Sequence, residues 1–169
     1  MLADAAEPAL NVLADAAARA VDEVADAAAE AVWERVTTLE GITEELMPIM
    51  RMTAPADVDA LRPEDIVPGQ RLFRSWILLF GLIPFDYDDI TIAEMQPGRY
   101  FHERSTMLSQ RVWEHERWVE PHDGGCIVRD RLRFEPRFGL PGKWVEPVIR
   151  AIFRHRHRRL RRRFGGRAA

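Results

Sequence analysis

Between Arg99 and Glu135 the chain alternates polar and apolar residues through three consecutive segments, yet one of the two faces so formed mixes charge with oil. In the last segment Cys126, Val128, Asp130, Leu132 and Phe134 fall on one side, and Arg129, Arg131, Arg133 and Glu135 on the other. Strand side chains alternate with period two, so this spacing specifies a strand with an inner and an outer face. Asp130 then stands among apolar neighbours, where a carboxylate must find a partner or keep its proton. The pattern constrains the fold to an antiparallel sheet with polar groups on its covered side. It describes a container with a polar interior and leaves the contents open.

The facing of the neighbouring strands follows from charge. Asp123-Gly124-Gly125 marks a hairpin turn. Across it, Glu114 and Glu116 complement Arg129, Arg131 and Arg133 if all five face solvent. That choice turns Trp113, His115 and Arg117 inward. The same reasoning turns Phe101, Glu103 and Ser105 inward on the preceding strand and leaves Tyr100, His102 and Arg104 outside. The interior is thus expected to collect Glu103, His115, Arg117, Asp130 and Arg156, with Trp76, Phe80, Phe101, Met107 and Trp113 as candidate walls.

Three readings of that set stay open. Buried ion pairs, such as Asp130 with Arg117 or Arg156, fix register and helix docking with no further role. Alternatively, Arg117 or Arg156 holds a ligand carboxylate or enolate, a task suited to a planar, permanently charged guanidinium. In the third, His115 is a catalytic acid or base tuned by Glu103 or Asp130. No nucleophile elbow, phosphate-binding glycine loop or His-x-x-x-His pair adds a sharper reaction class. His155 and His157 lie two apart on a helix and do not share a face, so no metal site is expected, and no cofactor is implied.

At 169 residues the chain is long enough for one domain with a substantial core. No apolar run approaches membrane-spanning length, and the acidic, alanine-rich start does not resemble a secretory signal. The single cysteine, Cys126, forms no internal disulfide, and a reducing cytoplasm is the expected compartment. Charge is unevenly spread. Residues 1 to 70 carry 15 acids against four arginines, whereas residues 150 to 167 carry nine arginines and no acid. The basic end could serve an anionic partner, or be solvated and laid against acidic parts of the same chain. The net charge of −3 favours the second, so nucleic acid is not the expected partner.

Along the chain, 13 alanines in the first 30 residues favour helix by propensity, and residues 1 to 16 read as an extension without anchoring side chains. A helix is expected over 28–38, broken by Gly41, and a second short one over 42–47. Pro48, Pro55, Pro63 and Pro68 mark an irregular connection. Leu72 to Phe80 reads as a strand, Gly81 to Asp89 as a connection, and residues 143–164 as a long helix stopped by Gly165-Gly166. That helix carries an apolar stripe through Val145, Val148, Ile149, Ile152, Phe153, Leu160 and Phe164, with Arg156 on it.

This order of elements resembles the SRPBCC superfamily, the START-like, polyketide cyclase-like, helix-grip proteins. The residues that carry the resemblance are Ala28-Ala-Glu-Ala-Val-Trp-Glu-Arg-Val, Gly69-Gln-Arg-Leu-Phe-Arg-Ser-Trp, Arg111-Val-Trp-Glu-His-Glu-Arg-Trp, Gly124-Gly-Cys-Ile-Val-Arg-Asp-Arg-Leu and Phe153-Arg-His-Arg-His-Arg-Arg-Leu. It implies an α+β helix-grip fold over residues 17–165, a curved antiparallel sheet around the long C-terminal helix, with 166–169 a tail. It also implies a strand at 18–25, against local propensity. A small apolar or amphipathic molecule held between sheet and helix is the implied partner. A cyclase- or hydratase-like activity through His115 is the alternative.

Overall fold

Pairing overrides propensity at the start of the chain. Arg19–Ala25 forms strand β1 because it lies antiparallel along β7 (Gly125–Pro136), with Val21 opposite Asp130 and Ala25 opposite Cys126. Neighbouring strands supply the hydrogen bonds that an isolated alanine-rich segment would satisfy as helix. The computed structural model describes residues 19–25, 27–139 and 142–168, so the expectation for residues 1–16 lies outside it.

Two short helices follow, α1 (Ala29–Val36) and α2 (Leu39–Leu46). α1 buries Ala29, Val32, Trp33 and Val36, one face at helical spacing. Gly41 does not break a helix, as the sequence suggested; it sits inside α2. The break comes earlier, where the Thr37 hydroxyl bonds back to the Trp33 carbonyl and the Thr38 Oγ1 caps α2 by accepting from Gly41 N at 3.0 Å. Glycine is needed there for another reason: a Cβ would meet the Arg35 carbonyl oxygen at 1.9 Å.

The remaining strands are β2 (Met50–Met52), β3 (Arg71–Leu79), β4 (Ile83–Gln96), β5 (Tyr100–Met107), β6 (Gln110–His122) and β8 (Arg167–Ala168). All neighbours pair antiparallel in the order β2-β3-β4-β5-β6-β7-β1-β8. The sheet curls into a half-barrel gripping α3 (Gly142–Phe164), an α+β helix-grip fold. Part of the expected tail therefore belongs to the sheet, since Arg167 and Ala168 pair with β1.

β4 overturns the expected connection over 81–89. The chain reverses within Phe80–Leu82, where Phe80 and Gly81 take positive φ of 52° and 74°, and Ile83 already pairs with Leu79. Pro84 is accommodated at a register irregularity opposite Leu78. The recovered strand buries Asp86, Asp88, Ile90 and Ile92 on its inner face.

The β6–β7 hairpin has the expected register and facing. Glu114 lies opposite Arg133 and Glu116 opposite Arg131, with ion pairs at 3.5 and 3.7 Å on the outer face. Tyr100 faces outward as expected but is covered: its ring packs on Trp118 at 5.1 Å and its hydroxyl donates to Glu116 at 2.9 Å. α3 docks through Ile149 and Phe153 on Leu132, and through Leu160 on the Val128 end of the sheet.

Candidate functional site

Asp130 is the hub of the interior. Its Oδ1 accepts from Arg117 Nε at 2.7 Å and His115 Nε2 at 2.8 Å; its Oδ2 accepts from Arg117 Nη2 at 2.7 Å and His157 Nε2 at 2.7 Å. An ionised carboxylate offers about four acceptor sites, and here four donors fill them. Arg117, 0% exposed, spends its remaining reach on Glu45 of α2 at 3.0 and 3.1 Å. Arg156 of α3 donates to the same carboxylate at 2.9 Å. Two arginines and two carboxylates thus form a balanced buried network that ties β6, β7, α2 and α3 together.

The electrostatics agree with the geometry. Burial alone would raise the Asp130 carboxyl, but the charge and paired hydrogen bonds of Arg117, with His115 behind them, hold it well below its ordinary 3.8. Burial likewise opposes the ionised Glu45, and Arg117 and then Arg156 bring it below the ordinary 4.5. Glu103 is lowered despite its burial, chiefly by His115 and Ser105. His115 turns Nε2 to Asp130 and places Nδ1 3.7 Å from Glu103 Oε2, so both ring nitrogens face carboxylates.

Beside this network lies a hollow of about 410 Å³ between the sheet, α2 and α3. Its wall is apolar except at Asp86, Asp88, Glu103, Ser109, Gln110, His115 and Arg156. Phe85, Trp144 and Val148 line it and are 55, 68 and 59% exposed, so they ring an opening. The carboxyls of Asp86, Asp88 and Glu103 gather on its β4–β5 side. Asp86 accepts from Tyr87 N at 2.7 Å, from Ser109 N at 3.2 Å and from the Ser109 hydroxyl. Glu103 accepts from the Ser105 hydroxyl at 2.8 Å. Burial and the adjacent Glu103 push the Asp88 carboxyl well above its ordinary 3.8. Asp88 Oδ1 and Gln110 Oε1 are buried without a hydrogen-bond partner.

Comparison with known proteins fits the architecture. Residues 23–164 match the family described as Domain of unknown function (DUF8410). The chain belongs to that family. No curated protein matches it. Among experimental structures, the DUF8410 chain is similar to protein CV1439 from Chromobacterium violaceum, with TM-score 0.68 and 13% identity over 89% of this chain and 98% of that one. A START superfamily protein from Mycobacterium smegmatis matches with TM-score 0.61 and 12% identity over 87% and 94%. DynU16, of the dynemicin biosynthetic locus, matches with TM-score 0.57 and 17% identity over 86% of this chain and 46% of that one, so the chain spans about half its length. At these identities the likenesses establish the fold, which is SRPBCC-like.

Within this DUF8410 chain, the candidate residues divide by place. Phe101, Glu103, Trp113, His115 and Arg156 line the hollow, whereas Arg117 and Asp130 are buried in the network behind it. Trp76 and Phe80 do not line it. Period two puts Trp76 opposite Phe73, Ser75 and Ile77, where it is 47% exposed and packs on Tyr87, and Phe80 is 66% exposed at the hairpin tip. The near-continuous apolar run of β3 hid that phase.

Sequence reasoning missed Glu45, His157, Asp86 and Asp88. His157 falls four residues after Phe153 and three before Leu160, on the helix stripe itself. Asp86 and Asp88 continue the alternation of Ile90 and Ile92, the same signal that exposed Asp130. The arginine run of α3 is partly engaged by α2: Arg159 donates to the Glu44 carbonyl at 3.1 Å and Arg163 to its carboxylate at 3.2 Å. Among the described residues no cluster of three His, Cys, Asp or Glu side chains is arranged for a metal, and no helix is long and apolar enough to cross a membrane.

Proposed function

We propose that this protein binds a small, largely apolar molecule in the hollow between the sheet and α3. The observation that carries the reading is the way the buried apolar side chains divide. They fall into three clusters, around Val32 and Val128, around Phe73 and Ile92, and around Leu132 and Phe153, the first two bridged by half-buried Met95. A domain of this size ordinarily packs one contiguous core. Here the clusters stand around a hollow that contains residues of all three in its wall. Its 410 Å³ falls within the roughly 300–1,000 Å³ of small-molecule sites. The START-like neighbours are consistent with this use of the fold.

The buried Arg117–Asp130–Glu45 network serves as scaffold in this reading. Asp130 has no lone pair to spare, and neither it nor Arg117 lines the hollow. Ligand contacts then come from Phe101, Trp113, Glu103, His115 and Arg156, joined by the apolar face of α3.

Native mass spectrometry of the purified protein beside a denatured sample tests the proposal. The expected result is a defined added mass, either co-purified or taken up from a panel of apolar small molecules, that denaturation removes. A bare protein mass in every case contradicts it.

A further inference from the structure

The connections of the sheet fall at two ends, and the two ends differ in chemistry. Because β3 to β7 pair antiparallel in sequence order, the β3–β4 and β5–β6 turns and the β7–α3 loop lie at one end. Hydrogen bonds join them: Leu108 N donates to the Tyr87 carbonyl at 3.2 Å, and Arg137 N to that of Ser109 at 2.8 Å. Phe80 N donates to the Ile49 carbonyl at 2.9 Å, which adds the α2–β2 connection. Among the described residues ten large apolar side chains are exposed, and eight of them stand at this end or on the first two turns of α3. Leu82 is 81% exposed, Phe138 75% and Trp144 68%. The turns at the other end, 97–99 and 121–124, contain no large apolar residue.

Exposed apolar groups gathered in this way mark an interaction surface, and the charge around them selects the partner. Segments 47–53, 79–85, 107–110 and 136–145 contain Arg51, Arg137 and Lys143, all exposed, and no acid, in a chain of net charge −3. Glu135 and Glu146, which flank the last segment in sequence, are engaged by Arg111 and Arg150. A second copy placed across a two-fold axis would set these bases against themselves. Nucleic acid would use the bases but leave Leu82 and Val148 in water.

We propose that this end of the molecule docks on an anionic lipid surface, with Leu82, Phe85, Phe138 and Trp144 entering the interface and Arg51, Arg137 and Lys143 meeting the headgroups. Apolar tips with aromatic rings, bordered by bases, suit the boundary between headgroups and acyl chains. Docked so, the opening ringed by Phe85, Trp144 and Val148 faces the bilayer. The inference does not depend on the hollow holding a ligand.

Flotation with phosphatidylcholine vesicles, with and without phosphatidylserine, tests it at low and at raised salt. The protein is expected to float with the mixed vesicles, and to bind about fivefold or more weakly to phosphatidylcholine alone or at raised salt. Leu82→Ser with Phe138→Ser should weaken binding about tenfold or more, and so should Arg51→Glu with Lys143→Glu. Val67→Ser, at a side chain 51% exposed before β3 and away from this end, should leave binding unchanged. Each variant is first matched to the wild type in urea midpoint. No flotation with the mixed vesicles at low salt overturns the proposal. Flotation that survives both double substitutions overturns the assignment to this end. So does a dimer in sedimentation velocity that Leu82→Ser with Phe138→Ser dissolves, since the face is then a contact between copies.

Discussion

Asp130 and Asp88 are buried carboxyls with opposite fates, and the difference is their partners. The donors around Asp130, Arg117 first, hold its carboxyl well below the ordinary range, whereas burial and the facing Glu103 push that of Asp88 well above it. Removing Asp130 leaves Arg117 buried beside a vacancy, so Asp130→Ala should destabilise by roughly 3–5 kcal/mol in urea unfolding, whereas a near-neutral result would mean the network carries no structural weight. The pH dependences run in opposite directions. For Asp130 and Glu45, whose carboxyls are lowered, the stabilisation is present above their ordinary 3.8 and 4.5 and disappears as pH falls through the folded values. For Asp88, raised above 3.8, the contribution is complete below that value and is lost as pH rises through the folded one. Asp88→Asn should therefore raise the urea midpoint at about pH 7 and leave it nearly unchanged at about pH 4. Equal gains at both would contradict the assignment. At this scale the sequence was informative where a charge interrupted an alternation, as at Asp130, Glu103 and Arg117. Glu45 gave no such signal, because its partners lie 72 and 111 residues away.

Elements are joined here by side chains that satisfy two partners at once. Glu45 links α2 to β6 through Arg117 and to α3 through Arg156. A double-mutant cycle over Glu45→Ala and Arg156→Ala should show a coupling energy of about 0.5–3 kcal/mol; additive effects would mean that the two helices do not communicate through this pair. Phe153 anchors α3 from the other side, meeting Trp113 at 6.3 Å and His115 at 5.1 Å. Phe153→Ala should cost about 3–5 kcal/mol, read from urea unfolding. Periodicity made α3 and the β6–β7 hairpin legible, since each buries one regular face. β1 was legible only through resemblance, because its strand state depends on β7 rather than on its own alanines. The first part of β4 was obscured by Gly81 and Pro84, turn-forming residues that the strand accommodates at a tight reversal and a register irregularity.

For the molecule as a whole, the curled sheet and α3 enclose more space than their apolar side chains fill. The hollow lies between the hydrogen-bonded polar network on one side and residues of the three apolar clusters on the other. The order of elements foretold the helix-grip architecture, but no local pattern could reveal a void, which depends on how distant surfaces fail to meet. Ile77 offers a direct handle: it lines the hollow, is 7% exposed and belongs to none of the three clusters. Ile77→Trp should fill space without breaking the network. The deciding measurement is a fluorescence titration of the wild-type protein and Ile77→Trp with N-phenyl-1-naphthylamine, after equal urea midpoints have shown both to be folded. Saturable binding of one probe per wild-type chain, lost in Ile77→Trp, is the predicted result. No saturable binding to the wild type, or equal binding to both proteins, would contradict a ligand site between the sheet and α3.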